Sequence, residues 1–119
     1  TEFVANFIGE STVLAGDVHA HTFNGDGLCI KDLAQGITDT SNAKLIIRPE
    51  AFSLFSGQVP CGHVELKEVI FAGDALEVLL MTSTGRQVKV KSEVSLLSRL
   101  VIGEKIELFV DVEQIGQLA

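Results

Sequence analysis

The chain has few of the side chains that most often build nucleic-acid or cofactor surfaces. Its 119 residues include no Trp or Tyr, two Pro, two Cys and one Met, and its only aromatic side chains are seven Phe. Nine basic residues against 16 acidic ones give a formal net charge of −7. Phosphate backbones are bound by clustered Lys and Arg, whereas the basic residues here are scattered. The composition therefore argues against a nucleic-acid partner.

Long apolar runs and targeting patterns are also missing. No stretch approaches the ~20 apolar residues that cross a bilayer. The sequence begins at Thr1 without a signal-peptide pattern, so we expect a fragment or a processed piece of a longer protein. Cys29 and Cys61 lack CxxC or metal-ligand spacing, which is typical of reduced, buried thiols.

Short alternating apolar runs dominate the chain from residue 12 onward. Hydrophobic residues make up 46% of the sequence, which suffices for one packed domain. The runs are separated by turn signals such as FNGDG at 23–27 and STGR at 83–86, and a short helical turn capped by Ser92 is predicted near the C-terminal end. Seven or eight strands with little helix predict an all-β barrel or sandwich. The predicted core residues are Leu14, Val18, Leu28, Ile30, Leu45, Ile47, Val64, Leu66, Val78, Leu80, Val88, Val90, Ile106, Leu108 and Val110.

Two parts of the sequence echo each other weakly. TFNGDGLCIKD followed by NAKLIIRPEAF runs strand, Gly turn, strand, spacer, strand, and so does MTSTGRQVKVK followed by EKIELFVDVEQI. Aligning Glu50 with Glu113 places Ile47 on Val110. Two copies of one β unit would suit a closed barrel, which leaves no exposed sheet edge.

The stretch LIIRPEAF, residues 45–52, interrupts one of the most apolar strands. Pro49 removes a backbone N–H from the ladder and biases Arg48 toward extended geometry, so the strand is predicted to stop there. Phe52 then returns to the core. Arg48 and Glu50 are left at the rim, either as an ordinary weak ion pair or as a contact site for another subunit or domain.

Motifs for catalysis are absent. The sequence has no phosphate loop, GxGxxG, HExxH or GxSxG pattern, which predicts no enzyme activity in this chain. Asp17, His19 and His21 alternate along one predicted strand, as do His63 and Glu65 along another. Such sets can bind Zn or Fe. The same pattern also arises when a half-exposed strand simply presents a polar face to solvent. We therefore predict no metal site, with the first three residues as the candidates if one exists.

The first ten residues predict a different element. TEFVANFIGE places apolar side chains on one face of a two-turn helix that ends at Gly9. A helix of this length is marginal alone, so we expect it to dock on this domain or on a neighbour.

Four motifs together resemble the C-terminal TOBE domain of ABC-importer ATP-binding subunits. EFVANFIGESTVLAGDV, residues 2–18, resembles the junction at which such a subunit leaves its nucleotide-binding domain, although Thr12 stands where Asn is common. LIIRPEAFSL (45–54), the Gly-containing stretch 64–91 and IGEKIELFVDVEQI (102–115) resemble the steps that follow, with Asp-Val-Glu in place of Asp-Pro-Glu. LIIRPEAFSL is most similar to ferric-iron importers; polyamine, sugar and oxyanion importers share much of the pattern.

The resemblance implies an OB-like small β-barrel (TOBE/MOP-like) at 11–119, with 1–10 as the helix that leads in from an upstream ATPase domain. It implies a non-catalytic regulatory and dimerisation role, with ATP and Mg bound upstream and no cofactor in this chain. It also implies a homodimer, membrane-embedded permease subunits as partners, and a cytoplasmic location at the inner face of the membrane. The interface or regulatory residues predicted on this basis are Phe7, Ile8, Glu10, Arg48, Pro49 and Glu50.

An alternative from another class is a module that binds an oxyanion or the transported solute, as related molybdate-binding domains do. Such sites favour Ser, Thr, Lys and backbone N–H groups. SNAK (41–44) and KSEVS (91–95) are the candidate segments, although surface loops contain the same residues for solubility alone.

Overall fold

The computed structural model describes residues 11–118, and the helix predicted over 1–10 lies outside them. The described part consists almost entirely of short strands joined by tight turns and three short 3-10 helices. The elements are β1 (Thr12–His19), β2 (Thr22–Gly25), β3 (Leu28–Ile30), β4 (Thr40–Ile47), η1 (Pro49–Ala51), β5 (Phe52–Leu54), β6 (Val59–Ala72), β7 (Ala75–Met81), β8 (Gln87–Glu93), η2 (Val94–Arg99), β9 (Lys105–Val110), η3 (Val112–Gln114) and β10 (Gly116–Leu118).

The ten strands form two five-stranded sheets with related topologies. The first sheet has the order β10-β4-β1-β2-β3 and the second has the order β5-β9-β6-β7-β8. Strands β1 to β4 of the first half thus correspond to β6 to β9 of the second half. The last strand of each half, β5 or β10, pairs in the sheet of the other half. The two halves therefore exchange their final strands.

The 3-10 helices that precede these final strands are equivalent too. Ala51 N–H donates to the Arg48 carbonyl at 3.0 Å in η1, and Gln114 N–H donates to the Asp111 carbonyl at 3.0 Å in η3. The two turns also contact each other, because Asp111 N–H donates to the Ala51 carbonyl at 2.9 Å. The weak echo predicted from the sequence therefore corresponds to a structural repeat.

Contacts between the sheets close them almost into a barrel. Lys89 N–H, on the edge strand β8, donates to Thr12 Oγ1 on β1 at 3.1 Å. Helix η1 packs against the same edge, so β8 does not present an open edge for another strand. Thr12, which departs from the Asn common in the resembling family, is buried and uses its hydroxyl in this link between sheets. The all-β, OB-like barrel predicted for the chain is thus confirmed.

One hydrophobic core fills the space between the sheets. All fifteen residues predicted for it are buried, because each lies on the inward side of an alternating strand. The core also includes Phe23, which is fully buried on β2, and Val112, which faces inward from η3. Phe52 and Leu54 are buried beside them, so the chain does turn back into the core after Pro49.

The strand predicted to carry Asp17, His19 and His21 is wrong in its extent, because β1 ends at His19. Backbone φ angles of 51° at Ala20 and 62° at His21 make a tight turn after β1. Neither residue is Gly or Asn, so the sequence carried no turn signal at this point. The hairpin predicted at 23–27 exists, but its turn is confined to Asp26 and Gly27.

The tight turn between β6 and β7 lies at Gly73 and Asp74, and the register irregularities of β6 lie at Pro60/Gly62 and Leu66/Glu68. The predicted helical turn is the 3-10 helix η2, and its N-cap residue is Glu93 rather than Ser92. β9 ends at Val110, and the η3 turn follows it.

Candidate functional site

The Arg48-Pro49-Glu50 step shapes one wall of a surface groove. Arg48 has extended backbone angles (φ −72°, ψ 153°), and Pro49 begins η1, where its missing N–H costs no hydrogen bond. The side chains of Arg48 and Glu50 are exposed, and Pro49 is half-buried. The step therefore ends β4 as predicted and turns the chain toward β8.

The groove lies on the outer face of β6, β7 and β8, beside η1, and has a volume of about 510 Å³. Pro49 and Glu50 line it, whereas Arg48 does not. Phe7, Ile8 and Glu10, the other predicted interface residues, lie outside the described part of the chain. Two cross-strand rows make up the floor, Ile70–Glu77–Lys91 and Glu68–Leu79–Lys89.

These rows combine two apolar side chains, Ile70 and Leu79, with charged ones. The carboxylates come from β6, β7 and η1, while the amines come from β8. Ile70 is 45% exposed. Such a surface can receive a protein segment that carries an apolar anchor between charged neighbours.

A second cavity, of about 540 Å³, lies where β1 starts beside the β7–β8 turn. Its lining is polar, and it includes two cationic side chains, several hydroxyl groups and one carboxylate. Hydroxyl and cationic groups that converge in this way can bind a small anion. The lining residues are Ser11, Thr12, Val13, Asp26, Thr84, Gly85, Arg86, Gln87 and Lys89.

Asp26 organises this polar cavity. Its Oδ2 atom accepts from Ala15 N–H at 2.7 Å and from Arg86 Nε at 3.1 Å. The carboxylate thereby ties the β2–β3 turn to β1 and fixes the direction of the Arg86 guanidinium. Asp26 itself has a φ of 49°, a conformation that Asp and Asn adopt more readily than most residues.

We expect Asp26→Ala to lower the free energy of unfolding by about 2 kcal/mol, because it removes a charge-assisted acceptor and places Ala at positive φ. Asp26→Asn keeps an acceptor and tolerates the backbone, so its expected cost is about half as large. Urea denaturation followed by circular dichroism measures both. Asp74→Ala, at the exposed β6–β7 turn, is the control; equal stability of the Asp26→Ala and Asp74→Ala variants contradicts the prediction.

The segments expected to bind an oxyanion do not contribute to the polar cavity. SNAK (41–44) lies on β4 of the first sheet, and KSEVS (91–95) spans the end of β8 and the start of η2. The cavity instead uses the STGR turn and the residues that begin β1. The STGR turn, in which Arg follows Gly, was the sequence signal that could have indicated an anion site. The sequence did not show that the start of β1 lies beside this turn.

The structure separates the three residues named as metal candidates. Asp17 and His19 lie on β1, whereas His21 lies in the following turn, so the three do not share one strand face. His19 Nδ1 is 3.9 Å from Asp39 Oδ2 at the surface. Within residues 11–118, no three or more His, Cys, Asp or Glu side chains are grouped to hold a metal ion.

The two cysteines are both free thiols in different surroundings. Cys61 is buried and Cys29 is half-buried, so the prediction of two buried thiols holds fully only for Cys61. Burial, and to a smaller extent the nearby Cys29, raises the pKa of the Cys61 thiol to about 12. Cys61 therefore remains a neutral thiol at physiological pH and is a poor nucleophile.

In the part of the chain that the structure describes, no helix has the length and apolar character needed to span a bilayer.

The chain is similar in sequence to part of an importer subunit and in fold to a solved molybdate-binding protein. The Fe(3+) ions import ATP-binding protein FbpC 1 of Haemophilus influenzae is 31% identical over 90 residues, which cover 74% of this chain and 27% of the relative. The chain thus spans about a quarter of that protein. No family model matches the sequence.

A solved structure shows the same fold. The cytoplasmic molybdate-binding protein ModG, with molybdate bound, superposes with a TM-score of 0.65 at 12% identity, over 88% of this chain and 93% of ModG. At this identity the likeness concerns the fold alone. Taken with the FIGE and RPE motifs, the findings agree with the family expected from the sequence. The chain resembles the C-terminal TOBE domain of ABC-importer ATP-binding subunits, with ferric-iron importers among its relatives, and has an OB-like barrel.

Proposed function

We propose that the chain is the non-catalytic regulatory and dimerisation domain of the ATP-binding subunit of an ABC importer, with ferric iron as the transported solute. The observation that carries the proposal is the 31% identity with FbpC 1 across 74% of the chain. ATP and Mg would be bound by the upstream ATPase domain, and permease subunits would be partners of the whole protein. The domain would then lie in the cytoplasm at the inner face of the membrane.

The groove beside η1 supports a role in contacts with other domains. It combines apolar and charged side chains, and the Pro49 step that forms its wall is one of the motifs that carry the family resemblance. A domain that transmits a signal needs a surface whose shape is fixed. The η1 turn is closed by its own Ala51–Arg48 hydrogen bond and is joined to the second half of the barrel by the bond from Asp111 N–H to the Ala51 carbonyl.

A chimera tests the proposal directly. In a Haemophilus influenzae strain that depends on FbpC 1 for iron, the matched part of that protein is replaced by this chain, and uptake of radioactive Fe(3+) is measured. We expect uptake well above that of a deletion that lacks the matched part. Uptake equal to the deletion contradicts the proposal, provided that immunoblots show equal amounts of both proteins.

Within the chimera, Arg48→Ala with Glu50→Ala separates a contact site from a simple strand terminator. We expect lower uptake with unchanged stability, because both side chains are exposed and Pro49 still ends the strand. Lys31→Ala with Asp17→Ala, at exposed positions outside the groove, is the matched control. If the Arg48/Glu50 double variant and the control variant have the same uptake, the step is only a strand terminator.

A second candidate function, binding of a small tetrahedral oxyanion, is favoured by the polar cavity. Arg86 and Lys89 provide positive charge there, and Ser11, Thr12 and Thr84 provide hydroxyl groups. ModG, which shares the fold, was solved with molybdate bound. An anion at 100 times its Kd would stabilise the folded chain by about 2.7 kcal/mol.

Thermal-shift titrations with molybdate, sulfate and phosphate measure this effect. We expect one of the three to raise the melting temperature of the parent chain and to have much less effect on Lys89→Ala. Lys31→Ala, which removes one positive charge elsewhere, should respond like the parent. Absence of any shift, or an equal shift in all three proteins, contradicts binding in this cavity.

A further inference from the structure

The connection between β8 and β9 has apolar side chains on both of its sides. Leu96 and Leu100 are half-buried, and Leu100 packs against the core. On the outer side, Val94, Leu97 and Val101 are 40%, 39% and 50% exposed. Ser95, Ser98 and Arg99 are also exposed, so the outer side is a mixed surface with an apolar part, and exposed apolar patches with a polar rim often mark interaction sites.

Ile102, the next residue, is 60% exposed on a turn that is rigidly held. Glu104 N–H donates to the Val101 carbonyl at 3.1 Å, which closes the turn over Gly103 at a φ of 92°. Two hydrogen bonds then fix the turn to β6: Gly103 N–H donates to the Leu66 carbonyl at 2.8 Å, and Leu66 N–H donates to the Glu104 carbonyl at 2.9 Å. Ile102 is therefore held in its exposed position by a turn whose backbone is fixed by hydrogen bonds.

The internal repeat provides a comparison within the same molecule. The equivalent connection of the first half, residues 31–39, buries Leu33 and packs Ile37 against the core. In the described chain that connection leaves no large apolar side chain exposed. The fold therefore does not require exposed apolar side chains in the equivalent connection of the second half.

Charge favours a second copy of the chain as the occupant. The segment 94–103 contains one charged residue, Arg99, in a chain with a net charge of −7. Two such chains repel each other wherever their acidic surfaces meet. Segment 94–103 contains no carboxylate, so this repulsion is weaker there. Exposed Glu93 and Glu104 flank it, so a two-fold pairing can set Arg99 of one copy near a carboxylate of the other.

From these observations we infer that Val94, Leu97, Val101 and Ile102, here called the η2 patch, form the surface through which two copies of the chain dimerise. The inference rests on the dimerisation role proposed above and assigns its surface. The four side chains expose on the order of 300 Å², comparable with the largest patches of monomeric proteins, which are often functional. Two such patches bury on the order of 600 Å² in total, below the ~1,200 Å² typical of stable complexes, so we expect a weak dimer whose population depends on concentration.

The test is sedimentation velocity of the 119-residue chain across a micromolar concentration range. The parent chain should shift from monomer to dimer with concentration, and Val101→Glu with Ile102→Glu should remain monomeric at every concentration. Ile70→Glu, an exposed apolar position in the groove, is the matched control and should dimerise like the parent. Circular dichroism melting should show that both variants are folded.

Each other outcome has a distinct meaning. A dimer that persists in Val101→Glu with Ile102→Glu overturns the assignment of the η2 patch and leaves dimerisation itself standing. A dimer lost equally in Ile70→Glu also overturns the assignment, because added charge anywhere then suffices. A parent chain that stays monomeric overturns the assignment and the dimerisation part of the proposed function, without affecting the iron-uptake test.

Discussion

Replacing Gly16 or Gly25 with Ala is expected to lower the free energy of unfolding by about 3 kcal/mol or more. The two glycines are directly opposite each other in the β1–β2 pair. A Cβ on Gly16 would overlap the Asn24 carbonyl, and a Cβ on Gly25 would overlap the Ala15 carbonyl. Both obstacles are backbone atoms, so relief requires the strands to separate.

The chain offers a clean control for this prediction. A Cβ at Gly36 would meet no atom within 4 Å, so Gly36→Ala should change the free energy of unfolding by less than about 0.5 kcal/mol. Urea denaturation followed by far-ultraviolet circular dichroism is the suitable measurement, because the chain has no Trp to report by fluorescence. Equal denaturation midpoints for Gly16→Ala and Gly36→Ala would show that β1 and β2 are not so close.

The second large effect concerns a pair of equivalent core positions. Leu45 on β4 and Leu108 on β9 occupy matching places in the two halves, and both side chains are fully buried. Truncation of a buried Leu to Ala loses the favourable burial of its apolar atoms and leaves a cavity, at a cost of about 2–5 kcal/mol. We expect Leu45→Ala and Leu108→Ala each to cost this much, with one unfolding transition in each variant, because the halves share a core and exchange strands.

Leu118→Ala is the matched control, since Leu118 is 39% exposed and its truncation should cost less than about 1 kcal/mol. Denaturation monitored by circular dichroism and by amide hydrogen exchange separates the possible results. Two transitions in Leu45→Ala, with exchange protection lost only in the first half, would contradict a shared cooperative unit.

The parts of the fold that the sequence predicted well are those set by alternation. A period of two assigns each residue of a strand to one face, so the fifteen core residues followed from pattern alone. Turns with Gly signals were also placed correctly, within a residue or two. The turn at Ala20 and His21 was missed because its positive φ angles occur at residues that seldom adopt them.

Features that depend on strand pairing could not be predicted in the same way. The exchanged strands β5 and β10 have three residues each, too few for a pattern to show which sheet receives them. The Pro49 step was predicted to end a strand, but the groove beside it exists only because β6, β7 and β8 pair in one register. The polar cavity likewise requires β1 to lie beside the β7–β8 turn, a contact between residues far apart in sequence.

The exchange of final strands also has a consequence for the order in which the protein can be made. The first sheet is complete only when β10 pairs with β4, and β10 comprises residues 116–118. During translation the first half therefore leaves the ribosome with one edge of β4 unpaired, although all its other strands are present. Such an edge is a site for wrong pairing between nascent chains. The first sheet can therefore be completed only after β10, the final strand of the second half, has been made.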